Sequence, residues 1–77
     1  MRTEINKYIV ADTNICHGQP TFKDTRIMVS IILEMLQDKA TAEEILEAYP
    51  SLTEEHIMAA LEFAAELASK RYKLTQV

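Results

Sequence analysis

The thiol and imidazole side chains, which act as nucleophiles, general bases or metal ligands, number only three in this sequence: Cys16, His17 and His56. Cys16 and His17 are neighbours, and adjacent side chains rarely reach the geometry of a nucleophile and its base. One thiol and two imidazoles are too few for a closed metal site. The sequence therefore predicts no catalytic residue, no metal and no cofactor. We expect Cys16 to be packed, His17 to be a polar loop residue and His56 to be exposed.

Two pairs of adjacent carboxylates, Glu43-Glu44 and Glu54-Glu55, are the remaining candidates for acid–base chemistry. Each pair falls where a helix is expected to begin. Negative side chains stabilise the positive end of a helix, and this effect explains both pairs without catalysis. We therefore predict that the protein is not an enzyme.

The acidic residues are concentrated in one part of the chain, whose formal net charge is −4. Residues 41–69 contain seven acidic side chains and no Lys or Arg. Such a block repels phosphate and suits a basic protein partner. A solvated helix face is an equally supported alternative. The candidate partner-binding residues are three of these acids and one adaptable apolar side chain: Glu47, Glu54, Glu62 and Met58.

The basic residues form a sparse set, five within residues 1–40 and three within residues 70–73. The candidates for contact with DNA are Lys23, Arg26, Lys70, Arg71 and Lys73. DNA binding depends on Lys and Arg, and a helix that begins with Glu54-Glu55 is repelled by phosphates. The alternative for Arg26 is a charged hydrogen-bond anchor that closes its loop on the helices, and we favour that alternative.

The first 27 residues predict a short β arm and a structured loop. The β-branched stretch Tyr8-Ile9-Val10 is typical of a strand, and Thr25-Arg26-Ile27 is a candidate for a second one. Cys16 to Asp24 is expected to be a loop, in which Gly18 is free to take a positive φ. A two-stranded ribbon is weak in water, so we expect the arm to pair with a second subunit or to lie on the helices.

Three helices are predicted after the loop. The apolar spacing indicates a first helix over Val29–Gln37, apolar on enough sides to be central or to contact a second subunit. Thr41 and Glu44 predict a capping box for a second helix over Ala42–Ala48, which Pro50 ends. Thr53 is expected to cap a third helix. Its inward stripe is expected to comprise Ile57, Ala60, Leu61, Ala64 and Leu67.

These elements predict a mainly α fold: a three-helix, helix-turn-helix-like (homeodomain-like) domain with a short N-terminal β arm. The single domain spans 1–77, with arm and loop at 1–27, helical core at 28–71 and tail at 72–77. A chain of this size has a small core, which is usually supported by disulfides, a metal or oligomerisation. A single cysteine excludes an internal disulfide and no metal site is expected, so a homodimer is expected. We expect the protein in the cytoplasm for three reasons: the sequence has no membrane span, no signal-peptide core and a single thiol.

The spacing of Gly18, Pro20, Thr25-Arg26 and Tyr49-Pro50, with Leu52-Thr53 and Ala59-Ala60-Leu61 after it, resembles domain-of-unknown-function family 433. The resemblance runs from about Tyr8 to about Leu67. Its members are small bacterial helix-turn-helix-like proteins, often described as VapB-type antitoxins. The chain departs from the pattern at His17 and Asp24, where the family commonly has Gly.

The resemblance implies a role beside a PIN-like nuclease toxin and binding to the promoter of the same operon. Our first hypothesis is therefore an antitoxin-like protein that neutralises such a toxin, with its acidic helices meeting the basic partner. The first helix and the arm would then build the homodimer. The alternatives are a dimeric DNA-binding regulator of the helix-turn-helix type and a structural homodimer module. No membrane and no small-molecule substrate are expected.

Overall fold

Three short antiparallel strands form a sheet at the start of the chain. The computed structural model describes residues 1–71, and the predicted tail at 72–77 lies outside them. The strands are β1 (Arg2–Glu4), β2 (Ile9–Asp12) and β3 (Pro20–Phe22), in the order β1-β2-β3. Thr3 faces Ala11 across the first pair, and Val10 faces Thr21 across the second. The strands of the arm therefore pair with one another within the same chain, and not with a strand of a second subunit.

The prediction of a strand at Thr25–Ile27 was wrong, because β3 lies within the segment expected to be a loop. Pro20 begins that strand, at a position where a residue without an N–H is tolerated. Thr25 instead forms a turn: its hydroxyl donates to the carbonyl oxygen of Phe22 at 2.8 Å and accepts from the N–H of Ile27 at 3.0 Å. This side-chain bonding replaces the pairing that a strand would need.

A left-handed turn at Cys16–Gly18 connects β2 to β3. The φ angles of Cys16, His17 and Gly18 are 49°, 57° and 82°. Gly adopts such angles freely, but a residue with a Cβ adopts them only at a cost in energy. Gly18 thus has the positive φ that was predicted for it, and the two residues before it, Cys16 and His17, share that conformation.

The helices confirm the predicted bounds: α1 is Val29–Gln37, α2 is Ala42–Ala48 and α3 is Glu54–Arg71. The capping box of α2 is present. The N–H of Glu44 donates to the Thr41 hydroxyl at 3.1 Å, and the N–H of Thr41 donates to the Glu44 carboxylate at 2.8 Å. None of the helices in residues 1–71 combines the length and the apolar character needed to cross a membrane.

The core lies where the sheet meets the three helices. Its buried side chains come from every helix, from two strands and from the segment between α2 and α3: Ile9, Phe22, Val29, Ile32, Ile45, Leu52, Ile57, Ala59 and Ala60. The remaining apolar side chains of α1, such as Leu33, Met35 and Leu36, pack against this cluster. The apolar breadth of α1 therefore reflects in part its central position, and Ile31, Leu33, Met35 and Leu36 stay partly exposed, so the expected dimer contact through α1 stays a prediction.

The inward face of α3 differs from the predicted stripe. Ile57 and Ala60 are buried, but Leu61 is 42% exposed and Leu67 is 39% exposed. Leu61 lies on the outer side because the helix turns Ala59 and His56 toward the sheet instead. Leu67 follows the inward face, but α3 is about 27 Å long at 1.5 Å per residue and extends past the core, with all side chains from Ala65 to Lys70 exposed.

Candidate functional site: the α3 groove

A groove of about 650 Å³ runs between the first turns of α3 and the turn that joins β1 to β2. We call it the α3 groove. Its lining residues are three from the turn and six from the helix: Asn6, Lys7, Tyr8, Glu54, Glu55, Met58, Ala59, Leu61 and Glu62. Met58 is 63% exposed, so its side chain is available for an apolar contact. The groove therefore combines an apolar floor with three carboxylates on its helical side.

The turn side of the groove is held by Asn6. Its side-chain oxygen accepts from the N–H of Tyr8 at 2.8 Å and from the N–H of Ile9 at 3.0 Å. Asn favours such turns because its side chain can replace a backbone acceptor. The ammonium group of Lys7 lies 5.5 Å from the centre of the Tyr8 ring, within the range of a cation–π contact.

The helical side is fixed to the sheet by His56. Its ring centre lies 4.9 Å from that of Tyr8 and 5.4 Å from that of Phe22, distances typical of stabilising aromatic pairs. Its Nδ1 accepts from the N–H of Thr53 at 3.0 Å, the residue just before α3. His56 is half-buried, so the prediction that it is exposed was wrong, because the side chain reaches back to the aromatic residues of the arm.

The carboxylate of Glu55 is stabilised in its charged form. The pKa of Glu55 lies below its usual value, first because the residue's own backbone N–H donates to the carboxylate and second because the Thr53 hydroxyl does so. Electrostatic contributions from His56 and Lys7 are smaller. Hydrogen bonds to the charged form lower a pKa in this way. The groove thus keeps its negative charge at neutral pH.

The structure brings together three of the four predicted partner-binding residues. Glu54, Met58 and Glu62 all line the α3 groove. Glu47 is exposed on α2 and does not line it. Six lining residues were not among the predicted ones: Asn6, Lys7, Tyr8, Glu55, Ala59 and Leu61. The helical spacing placed Leu61 in the core stripe, and only the fold brings the turn at Tyr8 against α3.

Among the predicted DNA-binding residues whose side chains the structure describes, Lys23 and Lys70 lie at different places in the fold. The ammonium group of Lys23 lies 3.4 Å from the Glu4 carboxylate, whereas Lys70 is exposed near the end of α3. Along the helix axis, Lys70 lies about 21 Å beyond His56, the residue of α3 that contacts the sheet. Arg71 ends α3. Lys73 lies outside the described residues.

Arg26 is exposed and lines a second, smaller cleft of about 310 Å³. Arg2, Asp24 and Thr25 line the same cleft. Within residues 1–71, the guanidinium group of Arg26 makes neither a hydrogen bond nor a salt bridge. Its loop is closed by the Thr25 hydroxyl and by the Cys16 thiol, which lies 3.5 Å from the carbonyl oxygen of Arg26. The favoured interpretation of Arg26 as a charged anchor was therefore wrong.

The part of the chain that the structure describes contains no group of three or more His, Cys, Asp or Glu side chains placed to hold a metal ion. A family model described as a protein of unknown function, DUF433, matches residues 9–64. The chain belongs to this family. No curated protein and no solved structure matches it. The match covers β2, β3, α1, α2 and the first part of α3, which includes the helical side of the groove.

Proposed function

We propose that this DUF433 protein is a non-enzymatic, antitoxin-like protein that binds and neutralises a PIN-like nuclease toxin in the bacterial cytoplasm. The observation that supports the proposal is the α3 groove, in which the exposed side chain of Met58 lies among the carboxylates of Glu54, Glu55 and Glu62. An apolar anchor surrounded by one sign of charge is suited to a protein segment of the opposite charge.

The partner segment that fits this groove is basic and carries at least one apolar side chain. The apolar side chain would pack on Met58 and Leu61, and flanking Lys or Arg side chains would pair with Glu54 and Glu62. A nuclease is a plausible source of such a segment because proteins that bind nucleic acid carry basic surfaces. The basic segment would then be withdrawn from the nucleic acid while it occupies the groove.

The test is an RNA-cleavage assay with a PIN-like nuclease encoded beside this chain. A stoichiometric amount of the wild-type protein should suppress cleavage. Glu62→Lys should weaken the inhibition by about tenfold, because it reverses one charge of the groove at an exposed position. Glu47→Lys makes the same change outside the groove and should leave inhibition unchanged. Full cleavage in the presence of excess wild-type protein would contradict the proposal.

DNA binding is the second candidate function, and the cleft at Arg26 favours it. Arg2 and Arg26 both line this cleft, and guanidinium groups bind phosphate well. The guanidinium group of Arg2 also lies 3.8 Å from the Glu4 carboxylate. We interpret α2 and α3 as the helix-turn-helix pair in this case. The carboxylates of Glu54 and Glu55 at the start of α3 argue against its entry into the major groove, so contact would be made to the phosphate backbone.

Fluorescence anisotropy with a duplex from the chain's own promoter tests this candidate. Binding should weaken steeply as salt rises, and Arg26→Ala should reduce the salt dependence by about one phosphate contact. Lys39→Ala removes a different exposed positive charge and is the matched control. Absent or salt-independent binding would exclude operator recognition by this cleft.

A further inference from the structure

The residues that follow α3 have the chemistry that the α3 groove selects. Lys70 and Arg71 end the helix, and the sequence continues with Tyr72, Lys73 and Leu74. Three basic side chains are thus interleaved with an aromatic and an aliphatic one. The groove offers three carboxylates and the exposed side chains of Met58 and Leu61.

A chain cannot fill the full length of its own groove with this segment. At 1.5 Å per residue, Met58 lies about 20 Å and Glu54 about 26 Å before Arg71 along the helix axis. Three residues in an extended conformation span at most about 11 Å. Lys73 therefore cannot reach Glu54 of the same molecule, whereas Leu61 and Glu62, about 15 Å and 14 Å before Arg71, are the groove residues that it could approach. The segment of another molecule has no such restriction.

We propose that the segment at 70–74 of a second copy of this chain occupies the α3 groove. Its basic side chains pair with Glu54, Glu55 and Glu62, and its apolar side chains pack on Met58 and Leu61. Mutual exchange of the segment between two copies closes a symmetric dimer. The two copies of this dimer contact each other through the outer side of α3. The dimer predicted from the sequence would instead use α1 and the arm.

This inference deepens the proposed function, on which its regulatory consequence rests. A second copy and a basic toxin compete for one groove, so the toxin must displace the segment in order to bind. The free protein keeps its apolar floor covered, and neutralisation of the toxin is accompanied by dissociation of the dimer. Self-association itself is measured without any toxin, so a failure of this inference and a failure of the proposed function are distinguishable.

The test is sedimentation velocity of the full chain across the micromolar range. The mass should rise from 8.8 kDa toward twice that value as concentration increases. Glu62→Lys and Lys73→Glu should each weaken the dimer by about tenfold, because each places like charges together at two symmetric sites. The double variant should restore association. Glu47→Lys is the control and should associate like the wild type.

A second measurement establishes which segment lies in the groove. Two samples are made in a background with Cys16→Ser. One sample has no carbon-13 enrichment and carries a spin label on Val77→Cys. The other carries carbon-13 in the methyl group of Met58, and the two samples are mixed. The Met58 signal should broaden, because the segment in the groove brings the spin label close to the methyl group. The label and the methyl group are on different molecules, so this broadening reports a contact between two copies. A monomer at every concentration, association unaffected by both charge reversals, or an unbroadened Met58 signal would each overturn the proposal.

Discussion

Replacement of His17 by glycine should stabilise the protein, because His17 is exposed and has a φ of 57°. A residue with a Cβ in the left-handed helical region costs about 1–2 kcal/mol relative to the right-handed one. Glycine avoids that cost but loses about 0.5–1 kcal/mol through the greater freedom of the unfolded chain. The net gain in the free energy of unfolding should therefore be about 0.5–1 kcal/mol. For a chain of this length it should raise the melting temperature by about 2–8 °C.

Thermal and urea denaturation followed by circular dichroism measure this effect. Gly18→Ala is the opposite control. Its new Cβ would meet Thr13 no closer than 3.9 Å, so the expected loss of about 1 kcal/mol comes from the backbone at φ +82° rather than from a clash. If His17→Gly lowers the free energy of unfolding, then the imidazole makes a stabilising contact and the reasoning from backbone strain is refuted.

Three further predictions concern the start of α2 and of α3. Since the pKa of Glu55 is lowered in the folded protein, its stabilising effect is complete above the unfolded value of 4.5 and is lost as pH falls through the folded pKa. Glu55→Gln should therefore reduce the loss of stability in acid titrations followed by circular dichroism, and an unchanged profile would contradict this. His56→Ala should cost about 2 kcal/mol in urea denaturation, because it removes two aromatic contacts and the acceptor for the Thr53 N–H; a loss below about 0.5 kcal/mol would show that His56 does not fix α3 to the sheet. Thr41→Ala should cost about 1 kcal/mol by removing half of the capping box of α2, and equal stability in the same assay would argue against that box.

The helices were predictable because their ends carry local signals. Thr41 and Glu44 determine where α2 begins, through bonds between residues three apart, and Pro50 prevents its continuation. The periodic apolar residues of α1 identify the helix without knowledge of its neighbours. Each of these signals acts within a few residues, so the sequence contains all the information that the prediction needs.

The sheet was harder to predict because its pairing is not local. Pro20–Phe22 becomes a strand because β2 lies beside it, and nothing in the three residues alone distinguishes them from a loop. The left-handed turn was predicted only at Gly18. His17 and Asp24, where the family pattern commonly has Gly, both have positive φ, at 57° and 62°. The two departures thus mark positions whose backbone favours glycine.

The candidate site was predicted in part for a similar reason. The acidic residues and Met58 could be chosen from charge and chemical type, and the single helix α3 then gathers Glu54, Met58 and Glu62. Tyr8 and Lys7 could not be assigned to the same groove, because the contact of Tyr8 with His56 depends on how the sheet packs on α3. Leu61 was misplaced because helical spacing alone does not specify which of two adjacent apolar stripes faces the core.

The most direct test of the account is a calorimetric titration of a purified PIN-like nuclease, encoded beside this chain, with three forms of the protein. The wild type should bind, and the double variant Glu54→Lys with Glu62→Lys should bind at least tenfold more weakly, because both charges of the α3 groove are reversed. Glu47→Lys, with its altered charge on α2, should bind like the wild type. Equal affinity of all three forms, or no binding by the wild type, would contradict the assignment of the α3 groove as the partner site.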